Sequence, residues 1–512
     1  MVAMASYMAG RDRSRDGHRS QPSRQEPMTE TASAADPLPD RIGPILYARG
    51  GDGRRDHLAA ILVLNEAAAA PELFAAGEAT QPIALATRFG RTVWRYDFSL
   101  PARTTSSYRI DETDYAVVSP DGGAARIAYV SCNGQENGDL TRDISERDAM
   151  WTRLTAEHDR APFSLMLQGG DQLYADDVLG CHPDVQRWTT LKPGERGTVP
   201  LTDAAREAIR RFYFERYLIS FARPAMGAMS AHVPSVSMWD DHDIIDGWGS
   251  HPAALLDSPV GRGLFESARE MFLIFQLAAD EADLPAIALD RQARSLGVAV
   301  RYPGLTILAP DLRSERRPDR VMGPVGWKSF ETALETTPEP DRIVLMSSVP
   351  VLGPRLSWAE LVAGIVPRVA KLSDDLRDQW QSRAHRREWI RCLQCLADRA
   401  ERAVGGLVVV SGEIHLATRG EMRLLNGSSM HQLVASGISH PAPGPAYPFA
   451  LGLLARVGES PLRGRKIRLR PLPSRRATYT SERNYLVLSQ DGMDWQAEWE
   501  LEDSGRTPPL AV

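Results

Sequence analysis

Hydrophobic and polar positions divide this chain into three textures. From Ile42 to about Ala124 they alternate in short runs. VWRYDFSL sets Trp94, Tyr96, Phe98 and Leu100 on one face, the period of two expected of a strand half-buried against a core. HLAAILVL and DYAVVS are further strand candidates, punctuated by Gly, Asp and Pro. A small β-sandwich over 41–124 is the expectation. After Ala125 the runs become short and almost continuously apolar: RIAYVSC, FSLMLQGG, VPSVSMWD, LTILAP, RIVLMSSV and LVVVSG. Such runs suit strands buried on both faces beneath helices. Helical stretches lie between several of them, over 202–226 from a Thr202 or Asp203 cap, over 260–283 and over 374–404. Alternating strands and helices predict a layered α/β domain. From about Gly458 strands return, and NYLVLSQDGMDWQAEWELE predicts a hairpin around an Asp491-Gly492 turn. Four segments follow: a disordered leader over 1–40, the β-sandwich over 41–124, an α/β domain over 125–457, and C-terminal strands packing on it over 458–512.

Composition narrows the class. The 512 residues are 43% hydrophobic and 25% charged, which excludes a wholly disordered, collagen-like or coiled-coil chain. Sixty Lys and Arg against 66 Asp and Glu give a net charge of −6, so the average field does not attract nucleic acid or acidic membranes. A local exception is RGRKIRLRPLPSRR over 463–476, with seven basic side chains and no acid. It has no interleaved aromatic ladder, so specific nucleic-acid binding is not expected; it reads as a solvated strand face able to guide an anionic substrate. Four cysteines are too few for a disulfide scaffold and suit a reducing compartment or thiol chemistry. The longest apolar stretch, over 57–76, is broken by Asn65, Glu66, Pro71 and Glu72, so no membrane span is expected. The first forty residues lack an apolar h-region, which predicts a cytoplasmic protein.

The candidate chemistry follows the buried runs. RIAYVSC ends in Cys132, and FSLMLQGG runs into Asp171, Gln172, Leu173 and Tyr174. VPSVSMW runs into Asp240, Asp241, His242 and Asp243, and LVVVSG into Glu413, Ile414 and His415. The carboxyl edge of an α/β sheet is where ligands bind. Each motif alone has a plainer reading: a small buried Cys, a turn or cap Asp, a solvated acidic loop, two alternate strand residues. Together, in one order and one context, they favour a metal site. A bridging Asp171 has two oxygens and charge to offset two cations. Thiolate and phenolate donors favour a highly charged transition metal, and carboxylates suit calcium, magnesium or manganese. Cys392-Leu393-Gln394-Cys395 has the spacing of a redox or zinc motif but sits in a helical stretch, and Cys181-His182 precedes Pro183 in a loop; both read as structural. Trp239, Trp248 and His251 are candidates to wall the site.

VSCNG, GGDQLYADD, WDDHDIIDGWGSHP and SGEIH, with PDLRSERR and the SSVP segment, resemble the PhoD-type alkaline phosphatase/phosphodiesterases, a branch of the calcineurin-like metallophosphatases. The likeness covers roughly 125–440. It implies a four-layer αββα metallophosphatase domain preceded by a small all-β domain, and a binuclear or larger metal centre. Iron(III) beside calcium is the implied pair, with manganese, magnesium and zinc as alternatives. Cys132, Asp171 and Tyr174 stand where ligands are implied, as do Glu413 and His415, with both Asp240 and Asp241 open for one position. The implied activity is hydrolysis of a phosphodiester or phosphomonoester, in a small molecule or a polymer, by water activated between two cations. His242 is the candidate to protonate the leaving group, and Arg313 to clamp phosphate, with a surface salt bridge as its alternative role. Glu413 departs from the Asp usual in the closing motif. That departure and the missing export signal support the alternative of a non-catalytic, metal-stabilised binding module of the same fold.

Overall fold

Strand Arg55–Asn65 shows how the N-terminal pattern is used. Leu58, Ala60, Leu62 and Leu64 face one core, while Ala59, Ile61 and Val63 face another. In Arg91–Pro101, Tyr96, Phe98 and Leu100 join the first core with Trp94 at its margin, and Val93 joins the second. The second face is covered through Arg95, while Asp97 is exposed and Ser99 half-buried, so the strand expected to be half-buried is covered on both faces in its first half alone. The reason is topological: Arg41–Gly51, Arg55–Asn65, Arg91–Pro101 and Ile83–Arg88 continue an eleven-stranded sheet, entered where Tyr47 pairs in parallel with Ser235. Leu73–Ala75, Glu78–Thr80, Thr105–Ile110 and Thr113–Val118 form a separate four-stranded sheet over the first core. The two sheets meet across that core, and the larger of them runs without a break into the strands of the α/β unit.

The computed structural model describes residues 37–353, 378–412, 414–456 and 459–512. Most of the expected leader, residues 1–36, lies outside them, as does the expected boundary at 457–458. All six continuous apolar runs are strands. Arg126–Val130, Leu165–Gly169 and Ser235–Met238 are parallel neighbours in the first sheet. Leu305–Ala309, Arg342–Ser347, Leu407–Ser411 and Ser429–Val434 are parallel neighbours in a second, eight-stranded sheet. Side chains of both sheets share one core, and Trp499 Nε1 donates across to the Val434 carbonyl at 2.9 Å. Helix Asp203–Phe221 starts where the Thr202 hydroxyl accepts from the Ala205 N–H, and Pro259–Leu277 where Ser258 does the same for Gly261. The fold is mixed α/β with several sheets.

The C-terminal hairpin is real but its turn lies one residue later than expected. Asp491 pairs with Asp494, which leaves Gly492 and Met493 as the two loop residues. The first of them has φ 61°, a value that glycine adopts without a Cβ clash. Among the described residues no helix is long and apolar enough to cross a membrane.

Candidate metal centre

Parallel strands carry their carboxyl ends to one edge, and here seven of them deliver polar side chains there. In the first sheet these are Cys132, Asp171 and the Asp240–Asp241 pair; in the second, Arg313, Ser348, His415 and Ser436. Three of these residues break the backbone rule for L-residues. Cys132, Asp171 and His415 have φ of 54°, 53° and 52°, a left-handed region that non-glycine residues occupy only when their surroundings hold them there. The hold is visible. Cys132 N–H donates to the Gly170 carbonyl at 3.2 Å and Asn133 N–H to that of Asp171 at 2.8 Å. The Asp243 carboxylate accepts from the N–H groups of Asp171, Leu173 and Asp240 at 2.8–2.9 Å. His415 N–H donates to Ser436 Oγ at 2.9 Å. Gly170, at φ 103°, admits the close approach of the two acid loops; a Cβ there would lie 2.8 Å from Asp240 Cβ.

Ligand atoms of Cys132, Asp171 and His415 lie within 4.8 Å of one another, and so do those of Asp171, Asp240 and Asp241. Asp171 belongs to both groups, the arrangement of a carboxylate shared between two cations. Cys132 Sγ donates to Asp171 Oδ2 at 3.5 Å and lies 3.2 Å from Ser436 Oγ. Asp171 Oδ1 and Asp240 Oδ2 are buried and have no hydrogen-bond partner. Burial, reinforced by Asp240 and Asp241, pushes the Asp171 carboxyl well above the usual range. Burial also lifts Asp240, to about 6, against the pull of Arg313. Orphaned oxygens and crowded acids of this kind fit a bound cation, which supplies the missing partner and charge. The donors differ between the groups: thiol, imidazole and carboxylate in one, carboxylates alone in the other. Tyr174 closes the first group, its hydroxyl 3.1 Å from His415 Nε2 and its phenol raised well above the usual value by burial. Burial likewise holds the His415 imidazole well below its usual value, and the neighbouring His440 adds to this. Glu413 lies outside the described residues.

His242 stacks on Tyr174 with ring centroids 4.4 Å apart, and its Nδ1 is 2.8 Å from Asp176 Oδ2. Burial opposes a charge on this imidazole, but Asp176 and Asp241 outweigh it and hold the ring protonated well above the usual value. Arg313 does not sit in a surface salt bridge. It is 0% exposed, not a surface residue, and its guanidinium is engaged by Asp240, by Asp378 at 2.6 and 3.0 Å, and by the Trp248 carbonyl at 3.1 Å. A buried guanidinium requires such partners, and these set it among the acids as their counter-charge. Trp239 and Trp248 pack on Phe265, and Trp239 Nε1 donates to Asp311 at 2.9 Å; they are core residues. His251 is partly exposed, its Nε2 2.7 Å from the Asp246 carbonyl.

Sequence reasoning missed several neighbours. Ser348 Oγ donates to Asp240 Oδ1 at 2.7 Å. The His440 ring stacks on His415 at 3.4 Å, and its Nε2 lies 3.3 Å from Glu136 Oε2. Ser436 and His440 follow the strand Ser429–Val434, which runs parallel to Leu407–Ser411 in the second sheet. Cys392 is buried in helix Arg386–Arg402, Cys395 lies 3.8 Å from Glu331, and His182 caps the helix Pro183–Thr190.

Residues 94–373 match the family described as PhoD related phosphatase. The chain is similar to the uncharacterized protein YGR266W of Saccharomyces cerevisiae, 25% identical over 398 residues, which cover 64% of this chain and 56% of that protein. It thus spans little more than half of that relative's length. The solved structure described as "Structure of PhoD" superposes with a TM-score of 0.57 at 12% identity, covering 94% of this chain and 90% of the other, which is a likeness of fold.

Proposed function

The chain belongs to the PhoD related phosphatase family, and from that premise we propose that it is a metal-dependent phosphoric ester hydrolase acting on a phosphodiester or phosphomonoester. The observation that carries the reading is Asp171, a buried carboxylate common to two groups of ligand atoms with one oxygen left without a partner. In this reading Cys132, Tyr174, His415 and Asp171 would hold iron(III). Asp171 with Asp240 and Asp241 would hold calcium, and Glu413, outside the described residues, is a further candidate ligand. When bound, such a pair supplies Lewis-acid charge to the phosphoryl oxygens and lowers the pKa of water. The protein's own contribution is positional. Asp176 fixes His242 by its Nδ1, which leaves Nε2 to pass a proton to the leaving alkoxide. Arg313 and Ser348 hold Asp240 in place, and Asp243 holds both acid loops by their N–H groups. The helix–sheet–sheet–helix layering belongs to the same reading.

The test is turnover of paired mono- and bis-nitrophenyl phosphates by the purified protein with iron and calcium, beside Asp171→Ala and Asp171→Asn. Asn tolerates the left-handed backbone at this position, so its loss of activity is separable from misfolding. Loss of bound metal and of hydrolysis in both variants is expected. Full turnover in either variant overturns the proposal.

A further inference from the structure

The loop that leaves Cys132 passes across the first group of ligand atoms before it reaches solvent. A Cβ on Gly134 would lie 2.9 Å from the Tyr174 ring, so the chain runs close against that phenol. Two residues on, the Glu136 carboxylate is held beside the same group. Its Oε2 lies 3.3 Å from Nε2 of His440, whose ring stacks on His415 and stands 5.5 Å from that of Tyr174. Glu136 is close enough for its charge to act on Tyr174 and His415, and for that of His242 to act on it. Its side chain is 40% exposed, against 12% for His440. The carboxylate thus stands where the buried centre meets solvent, and it belongs to neither group of ligand atoms.

Four basic side chains around the centre already have an acid beside them. His242 faces Asp176 at 2.8 Å, and Arg313 is engaged by Asp240 and Asp378. Arg216, which donates to the Tyr174 carbonyl, lies 3.8 Å from Asp139 and 3.7 Å from Asp177. His440 has Glu136 itself. None of these four is left over to meet a second negative charge on a ligand.

A phosphomonoester is largely a dianion above neutral pH. A phosphodiester is a monoanion, with a neutral ester-linked group in place of the extra charged oxygen. A carboxylate at the opening repels the added charge of the monoester and leaves the neutral group alone. We propose that Glu136 is a specificity-determining residue that selects phosphodiesters over phosphomonoesters by like-charge repulsion at the opening of the metal centre. The proposal rests on the hydrolase reading and names the substrate class within it.

Glu136→Gln removes the charge and keeps the shape, while Glu136→Asp keeps the charge. In the metal-loaded full chain, Glu136→Gln should raise kcat/KM for mono-nitrophenyl phosphate relative to the bis ester by about tenfold, through a lower KM for the monoester. Glu136→Asp should hold that ratio within about threefold of the unmodified protein's. Calorimetric titration reads the same discrimination without turnover: affinity for inorganic phosphate relative to dimethyl phosphate should rise about tenfold in Glu136→Gln. A ratio that Glu136→Gln leaves unmoved in either measurement overturns the proposal. So does an equal loss on both esters, which marks the pair of Glu136 and His440 as structural. No turnover of either ester by the unmodified protein overturns the hydrolase reading instead, and the affinity ratio then decides the discrimination by itself.

Discussion

Cys132 and Cys392 are both buried, at 0% and 2% exposure, yet their settings are opposite. Cys392 lies inside helix Arg386–Arg402 beside Leu393 and Leu396, and burial, with Cys395 and Glu388 adding to it, drives its thiol well above the usual value. Cys132 lies at a left-handed turn after a parallel strand, with Asp171, Ser436 and His415 around its sulfur. Of the two, Cys392 belongs to the better-known motif, a C-x-x-C. What separates them is the ladder each belongs to. A strand end opens onto a cleft where other strand ends add donors, whereas a helix interior surrounds its thiol with hydrocarbon. Thiol chemistry in this fold is set by where the chain stops being a strand.

The largest expected effect tests that contrast directly. Cys132→Ser and Asp171→Asn should each lower turnover by about 10³-fold or more and deplete bound metal, measured by elemental analysis of the purified protein. Cys392→Ser with Cys395→Ser should leave metal content unchanged and turnover within about twofold, since neither thiol approaches the centre. Equal losses in both sets would break the comparison. Next in size are the proton-handling residues. His242→Gln should cost about 10²–10⁴-fold in turnover, and Asp176→Asn about 10–100-fold by releasing the ring. Bound metal should be retained in Asp176→Asn.

How far the site was legible follows from range in sequence. A run such as FSLMLQGG and the acid that ends it are local, so Cys132, Asp171, Asp240, Asp241 and His415 could be placed at strand ends without knowing the fold. Ser436 and His440 were not legible in this way. Their strand lies beside Leu407–Ser411 only because Thr418–Arg423 is displaced to the far side, a pairing order that no local pattern encodes. Arg313 was visible as a base in a motif, but its direction is set by Asp240 and Asp378, each more than sixty residues away. The N-terminal strands show the same limit. Their alternation predicts a sandwich, and only the pairing of Tyr47 with Ser235 reveals that the sheet continues.

A smaller effect probes the strained backbone at the strand ends. Gly170→Ala places a Cβ 2.8 Å from that of Asp240 at φ 103°, and should cost roughly 2–3 kcal/mol in denaturant unfolding. It should also weaken metal retention by displacing Asp240. The helical cysteines have no equivalent position, so a conservative Ala substitution that disturbs metal at one cysteine and not the other sharpens the contrast.

The smallest expected effect belongs to the helix side. His385 precedes helix Arg386–Arg402, is 1% exposed, and its Nδ1 lies 3.2 Å from the Gln379 carbonyl. Burial, with Arg316 adding repulsion, lowers its pKa from 6.5 to about 4. Because the folded value lies below the unfolded one, the unfolded chain binds more protons between these limits. Its contribution to stability is therefore complete above pH 6.5 and is lost progressively as the pH falls toward 4. Over the upper half of that window the loss is roughly 1–2 kcal/mol. His385→Gln keeps a donor for the Gln379 carbonyl but does not titrate, so its melting temperature should fall less steeply than that of the unmodified protein between pH 6.5 and 5. Turnover at neutral pH should be the same in both. An unchanged acid slope in the variant would show that His385 is not held neutral by its burial. A loss of turnover would show that the cysteine helix is coupled to the metal centre, and the separation between Cys392 and Cys132 would no longer hold.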